Sequence, residues 1–202
     1  MNIKLALEIL SKDSNMRKLI KDHGIPDYKP ENDYFQSLMR SIVFQQLSGK
    51  VAKIIYQRLI SLLPNNKVLP KEVLILSKDD MREAGLSFQK ISYIKNLAYY
   101  FDNNSFNSNK VKKMSDKEIS SELIQIKGIG QWTIDMFLMF ALNRPDVMPF
   151  LDLGIKKGMK SFFDLSELPT KNEMKIFSNK WKPYRTVACW YMWRLVDDGF
   201  EW

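Results

Sequence analysis

Apolar residues recur along most of this chain every three or four positions, and strict apolar–polar alternation is scarce. That spacing belongs to helices with one buried face, so the pattern predicts an all-α protein. Leu5, Ile9 and Leu10 mark a first helix. Asp13 or Ser14 can cap a second, which carries Met16, Leu19 and Ile20 and stops near Gly24. The segment GIPDYKPEND is a linker by its Gly, Pro and Asn-Asp content. Tyr34 to Leu63 predicts two helices meeting near Gln45-Gln46-Leu47-Ser48-Gly49. Lys71 to Leu76 and Asp79 to Ala84 are short helices. Ser87 to Phe101 is a longer one, with its apolar face on Ile91, Ile94, Leu97, Ala98 and Phe101. DNNSFNSNKVKKM follows as a polar loop, and Ser115 with Glu118 forms a capping box for the next helix. The last helix is expected to begin near Pro183 and to carry Val187, Cys189 and Trp190. Breakers and periods together give roughly ten helices.

Composition narrows the chemistry. The 202 residues suffice for one large or two small domains. Lys plus Arg number 31 against 23 for Asp plus Glu, a net charge of +8. Such a surface favours phosphate-bearing partners, although many soluble proteins are equally basic. A single cysteine, Cys189, excludes an internal disulfide and any four-cysteine zinc or iron–sulfur site. A single histidine, His23, excludes a His-rich metal site and argues against a Ser-His-Asp triad. The first fifteen residues are amphipathic and lack the continuous apolar core of a signal peptide. No apolar run reaches membrane-spanning length, so a soluble intracellular protein is expected.

One stretch concentrates candidate chemistry. Gly128-Ile129-Gly130 sits between two apolar helical patterns, Leu123-Ile124-Ile126 and Trp132-Ile134-Phe137-Leu138. Glycines permit a tight turn, and they let an anion approach backbone N–H groups. Trp132 and Thr133 then open a helix whose N-terminus carries partial positive charge. Such a turn can hold phosphates without regard to base sequence, and Lys127 can add charge. A tight helical hairpin with no ligand fits the glycine triplet equally well. Further on, Pro149 keeps the chain extended ahead of Asp152, which can cap a helix carrying Ile155, Met159 and Phe162. Capping alone explains an Asp there, and a cap also fixes a carboxylate in place.

The run Ile-Lys-Gly-Ile-Gly-Gln-Trp-Thr, with Asp152 just over twenty residues later, resembles the helix-hairpin-helix DNA glycosylase superfamily. Tyr34 to Leu59, Met81 to Leu97 and KPYRTVACWYMW are similar to the 3-methyladenine DNA glycosylase II family in its compact form, so the resemblance covers nearly the whole chain. It implies a two-lobed all-α fold, with a helical bundle over 33–121 and a second lobe from 1–32 plus 122–202. It implies that Asp152 is catalytic, stabilising positive charge on the deoxyribose as the glycosidic bond breaks. It implies a base pocket with Trp132 and Trp193. Met136 stands where the family can use a tyrosine. Gln46 or Leu47, supported by Gln45, falls where a side chain fills the gap left by the extruded base. Lys127, Gly128, Ile129, Gly130 and Thr133 are the expected backbone-contacting residues.

Bifunctional members carry a nucleophilic Lys two residues after the second hairpin Gly, where this chain has Trp132. An indole cannot form a Schiff base, so the resemblance implies a monofunctional hydrolase without lyase activity. No cofactor is required for that chemistry. A structural Na+ or K+ held by the carbonyls of Ile124, Ile126 and Ile129 is implied by resemblance alone. The resemblance implies double-stranded DNA with damaged bases as the partner, bound by a monomer, and a place in the cytoplasm or nucleoid, or in the nucleus if the source is eukaryotic. Two other readings remain: a non-catalytic hairpin DNA-binding module, and a glycosylase for another damaged base.

Overall fold

A computed structural model describes residues 1–47 and 49–196. Ser48, within the predicted corner, lies outside the described residues. Every regular element among those described is helical. In chain order the α-helices are α1 (Ile3–Leu10), α2 (Ser14–His23), α3 (Tyr34–Phe44), α4 (Gly49–Ser61), α5 (Pro70–Ile75), α6 (Lys78–Glu83) and α7 (Phe88–Asn103). They continue with α8 (Ser108–Val111), α9 (Asp116–Leu123), α10 (Gln131–Met136), α11 (Leu153–Phe162), α12 (Lys171–Phe177) and α13 (Arg185–Arg194). A π-helical turn, Phe137–Ala141, follows α10, and a 3-10 turn, Ser178–Trp181, follows α12. Among the described residues no helix is long and apolar enough to cross a membrane.

The chain divides into two compact units. One is Glu31–Phe137; the other joins Met1–Pro30 to Leu138–Trp202. The sequence places the end of the bundle at 121; in the structure the contiguous unit runs on to Phe137. The reason is packing: α10 lies against α3 and α9, so the hairpin belongs with the bundle.

In the contiguous unit α7 is the central helix, flanked by α3, α5 and α6. Ile91, Ile94, Leu97 and Ala98 are buried along it, as the periodicity predicts. The polar stretch after α7 is not all loop. Phe106 is buried against Tyr34, Phe101 and Phe137, and Val111 is buried as well, so these two apolar residues pin α8 to the core.

In the discontinuous unit α13 is enclosed. It packs against α11, α1, α2 and the 3-10 turn, and Val187, Ala188, Cys189, Tyr191, Met192 and Trp193 are all buried. The hydroxyl of Tyr191 donates to the Gly24 carbonyl at 2.8 Å, which ties the end of α2 to α13. This helix starts at Arg185, later than Pro183 suggested. Its first-turn Thr186 N–H is satisfied by the Pro145 carbonyl, so another segment sets where the helix begins. The helix α12 escaped the periodicity, although Thr170 and Glu173 form a full capping box at its start.

Candidate active site

Asp152 is the N-cap of α11. Its Oδ1 accepts the Ile155 N–H at 2.7 Å and its own N–H donates to the Pro149 carbonyl at 3.0 Å, so the turn after Pro149 fixes both ends of the residue. A second donor reaches the same oxygen: the indole Nε1 of Trp193, at 2.9 Å. Asp152 is 9 % exposed and Trp193 4 %. A charge-assisted bond at this depth is among the stronger side-chain contacts.

Two glycines of α11 make this approach possible. A Cβ on Gly154 would stand 2.8 Å from Trp193 Cδ1, 3.0 Å from its Nε1 and 3.1 Å from Asp152 Oδ1. One on Gly158 would stand 2.1 Å from the Met192 carbonyl oxygen. The two glycines, four residues apart, lie on one helical face, and that face lets α13 come close enough to present Trp193. Behind the indole, Phe140 lies 5.7 Å from Trp193 between ring centroids and Tyr28 stacks on Phe140 at 5.8 Å. The Tyr28 hydroxyl donates to the Thr186 carbonyl at 3.1 Å, and burial pushes this phenol well above its usual pKa. A hollow of ≈ 590 Å³ in the same unit is lined by Phe150, Lys175, Ile176, Asn179, Lys182 and Arg185; Asp152 is not among its lining residues.

The hairpin is built in the contiguous unit. Ile126 N–H donates to the Leu123 carbonyl and Ile129 N–H to the Ile126 carbonyl, closing successive turns. Gly128 takes φ +108, and a Cβ there would fall 2.2 Å from Tyr93 Cγ. This glycine is therefore required twice, by backbone conformation and by the ring beneath it. Gly130 differs. Its φ of −107 is open to any residue, and a Cβ would meet nothing within 4 Å. It is exposed, as is Lys127. Tyr93 and two neighbours one turn away on α7 support the turn: Asn96 Nδ2 donates to the Lys127 carbonyl at 3.3 Å, and Lys90 holds the residues that brace it.

The other expected residues fall as follows. Gln45 caps the end of α3 and donates from Nε2 to the Gly128 carbonyl at 3.1 Å and to Thr133 Oγ1 at 3.0 Å. Thr133 is 1 % exposed, so its hydroxyl faces Gln45 rather than solvent. Gln46 and Leu47 are exposed, and Gln46 sits in the left-handed region at φ 57. Trp132 is half-buried and Met136 buried on α10. Asp135, for which the sequence carries no distinguishing signal, is buried and accepts from Gln131 Nε2 at 2.8 Å. Ile129 and Ile126 are buried and Ile124 is exposed. Their carbonyls are hard oxygen donors drawn from one turn, a set chemically suited to a hard cation, with the Ile126 oxygen already accepting Ile129 N–H. Among the described residues no cluster of His, Cys, Asp or Glu could hold a metal.

Residues 39–183 match the family described as HhH-GPD superfamily base excision DNA repair protein. The chain belongs to this superfamily. Within it, DNA-3-methyladenine glycosylase 1 of Schizosaccharomyces pombe is 33% identical over 198 residues, covering 95% of this chain and 86% of that protein. DNA-3-methyladenine glycosylase of Saccharomyces cerevisiae is 31% identical over 234 residues, covering 96% and 79%. The solved structure of the Schizosaccharomyces pombe enzyme in complex with abasic DNA superposes with a TM-score of 0.88 at 35% identity, covering 94% of this chain and 95% of that one. Membership in the HhH-GPD superfamily thus spans both units, with hairpin and capped Asp152 inside the matched span.

Proposed function

We propose that this chain is a monofunctional DNA glycosylase that excises alkylated purines, such as 3-methyladenine and 7-methylguanine, from duplex DNA. The observation that carries the reading is the carboxylate of Asp152, fixed at a helix N-terminus by Ile155 N–H and by the Trp193 indole. The names of the relatives above support 3-methyladenine, and 7-methylguanine extends the reading to another cationic alkylated purine.

The chemistry asks little of the protein beyond placement. An alkylated purine is a cationic leaving group. When its N-glycosidic bond breaks, the electron pair stays on the base, which departs neutral and needs no proton donor. Positive charge then appears on the deoxyribose, where a preorganised carboxylate stabilises it. Water adds to the anomeric carbon and loses a proton. Trp132 stands where a lyase would need an amine, which favours water as the nucleophile.

The contiguous unit would handle the strand. Gly130 has no internal reason to be glycine, and an exposed backbone N–H turn with Lys127 beside it suits a phosphate. Gln46 holds a strained, exposed conformation, a feature concentrated at functional positions, and with Leu47 it would fill the gap left by the everted nucleotide. Trp132, half-buried on α10, would offer a stacking face to the electron-poor ring. A Na+ or K+ on the Ile124, Ile126 and Ile129 carbonyls would stiffen the turn, and the protein would act as a monomer.

The test is base release from methylated duplex DNA by wild type and Asp152→Asn. Removing one preorganised charge should slow release by at least about a hundredfold. Equal release by both proteins removes Asp152 from the mechanism.

A further inference from the structure

Three elements of the contiguous unit meet at one side chain. The carbonyls of Val43 and Gln45, at the C-terminal end of α3, point at the ammonium of Lys90 on α7, at 2.6 and 2.7 Å. A cation there meets the negative end of the helix dipole and two carbonyls that the helix leaves unpaired. Gln45 in turn spans to the hairpin, with Nε2 between the Gly128 carbonyl and the buried Thr133 hydroxyl. One residue therefore has its main chain held by α7 and its side chain held to the hairpin. The next residue is Gln46, exposed and left-handed.

The α7 face is consistent with this. Lys90, Tyr93 and Asn96 recur at threes, and each meets the corner or the hairpin: Lys90 the Gln45 carbonyl, Tyr93 the space a Cβ on Gly128 would need, Asn96 the Lys127 carbonyl. Burial lowers the pKa of the Lys90 ammonium, as expected of a cation withdrawn from water to serve internal carbonyls.

We infer that Lys90 and Gln45 are positioning residues that lock the Gln46-Leu47 corner to the hairpin, so that gap filling and strand gripping occur in a fixed register. This rests on reading that corner as the gap filler and the hairpin as the strand clamp. The lock would act on recognition of a vacated or damaged position more than on general affinity for DNA. Undamaged duplex needs only the clamp, whereas a lesion duplex needs clamp and corner at a set distance.

The experiment compares the full chain with Lys90→Met, Lys90→Arg and Gln45→Ala. Two probes are used: a duplex carrying a tetrahydrofuran abasic analogue with 2-aminopurine beside it, and the same duplex undamaged. In wild type, 2-aminopurine fluorescence should rise on binding the abasic duplex, and that duplex should be preferred. Loss of a charge-assisted brace should cut this preference about tenfold in Lys90→Met and diminish the fluorescence rise, with affinity for undamaged duplex little changed. Lys90→Arg, which keeps a cation at the carbonyls, should recover most of both. An unchanged preference and fluorescence rise in Lys90→Met overturns the coupling, as does a parallel loss of both affinities. Should Lys90→Met not fold, Gln45→Ala, which leaves the ammonium on its carbonyls, decides the matter by the same readouts. A wild-type protein giving no fluorescence rise would instead remove the gap-filling reading, and the coupling with it.

Discussion

The indole of Trp193 does something the sequence does not state. As an aromatic in the C-terminal helix it suggests a stacking surface, and the structure adds an N–H aimed at the carboxylate of Asp152. Trp193→Phe keeps a ring and loses that donor. A buried charged acceptor deprived of one partner costs about 1.5–3 kcal/mol, so single-turnover base release should slow roughly tenfold to a hundredfold. A rate within twofold of wild type would mean the bond has no part in orienting the Asp152 carboxylate for base release. The two hairpin glycines separate in the same way. Gly128→Ala meets a left-handed backbone and Tyr93 at 2.2 Å, so it should lower the urea midpoint clearly. Gly130→Ala meets nothing, so it should leave the midpoint unchanged while weakening DNA binding by its bulk at the surface. Asp152 was legible as a cap because Pro149 before it and the apolar period after it are local signals. The partner of its Oδ1, forty-one residues further along, is not local, and no pattern along the chain announces it.

At the level of helices, close approach is decided by what is missing. Gly158 lets α11 lie on the Met192 carbonyl, and backbone cannot retreat as a side chain can. Gly158→Ala should therefore destabilise by about 3 kcal/mol in urea unfolding. It should also slow base release, because Trp193 directly follows the displaced residue. Helix caps give a second expectation. The Ser115 hydroxyl and N–H hold the Glu118 carboxyl below its usual pKa, and the Thr170 N–H and hydroxyl do the same for Glu173. Burial pushes Asp13 up, but Lys180 and the N–H groups of Met16 and Asn15 outweigh it and leave it lowered. A depressed carboxyl stabilises the fold above its unfolded pKa and loses that contribution as pH falls toward the folded value. Thermal midpoints should thus hold near neutrality and decline as pH drops below about 4. A midpoint that rises on acidification would contradict these assignments. Long helices such as α7 announce themselves by period. The four-residue α8 does not, because it exists through Phe106 and Val111 reaching a core that only the folded chain supplies. The helix α12 had its capping box in plain view; seven residues are too few for a period to draw attention to it.

Across the molecule, the charge of +8 becomes a measurable quantity once DNA is the partner. Binding should weaken steeply with salt, and Lys127→Ala should lower the slope of log K against log salt by about one while affecting all sequences alike. A slope unchanged by that substitution would take Lys127 out of the phosphate contacts. The all-helical class was readable from the apolar period alone. The boundary between units was not, since it depends on which neighbours α10 chooses, and those come from α3 and α9.

The way the chain is threaded also orders its assembly. Everything from Glu31 to Phe137 is one uninterrupted stretch, whereas the remainder needs α1 and α2 from early in synthesis and α13 from much later. Domains emerging from the ribosome tend to fold as they appear. A translation product halted after α10 would carry the hairpin and the Gln45–Gln46 corner without α11 and α13, and so without the Asp152–Trp193 pair.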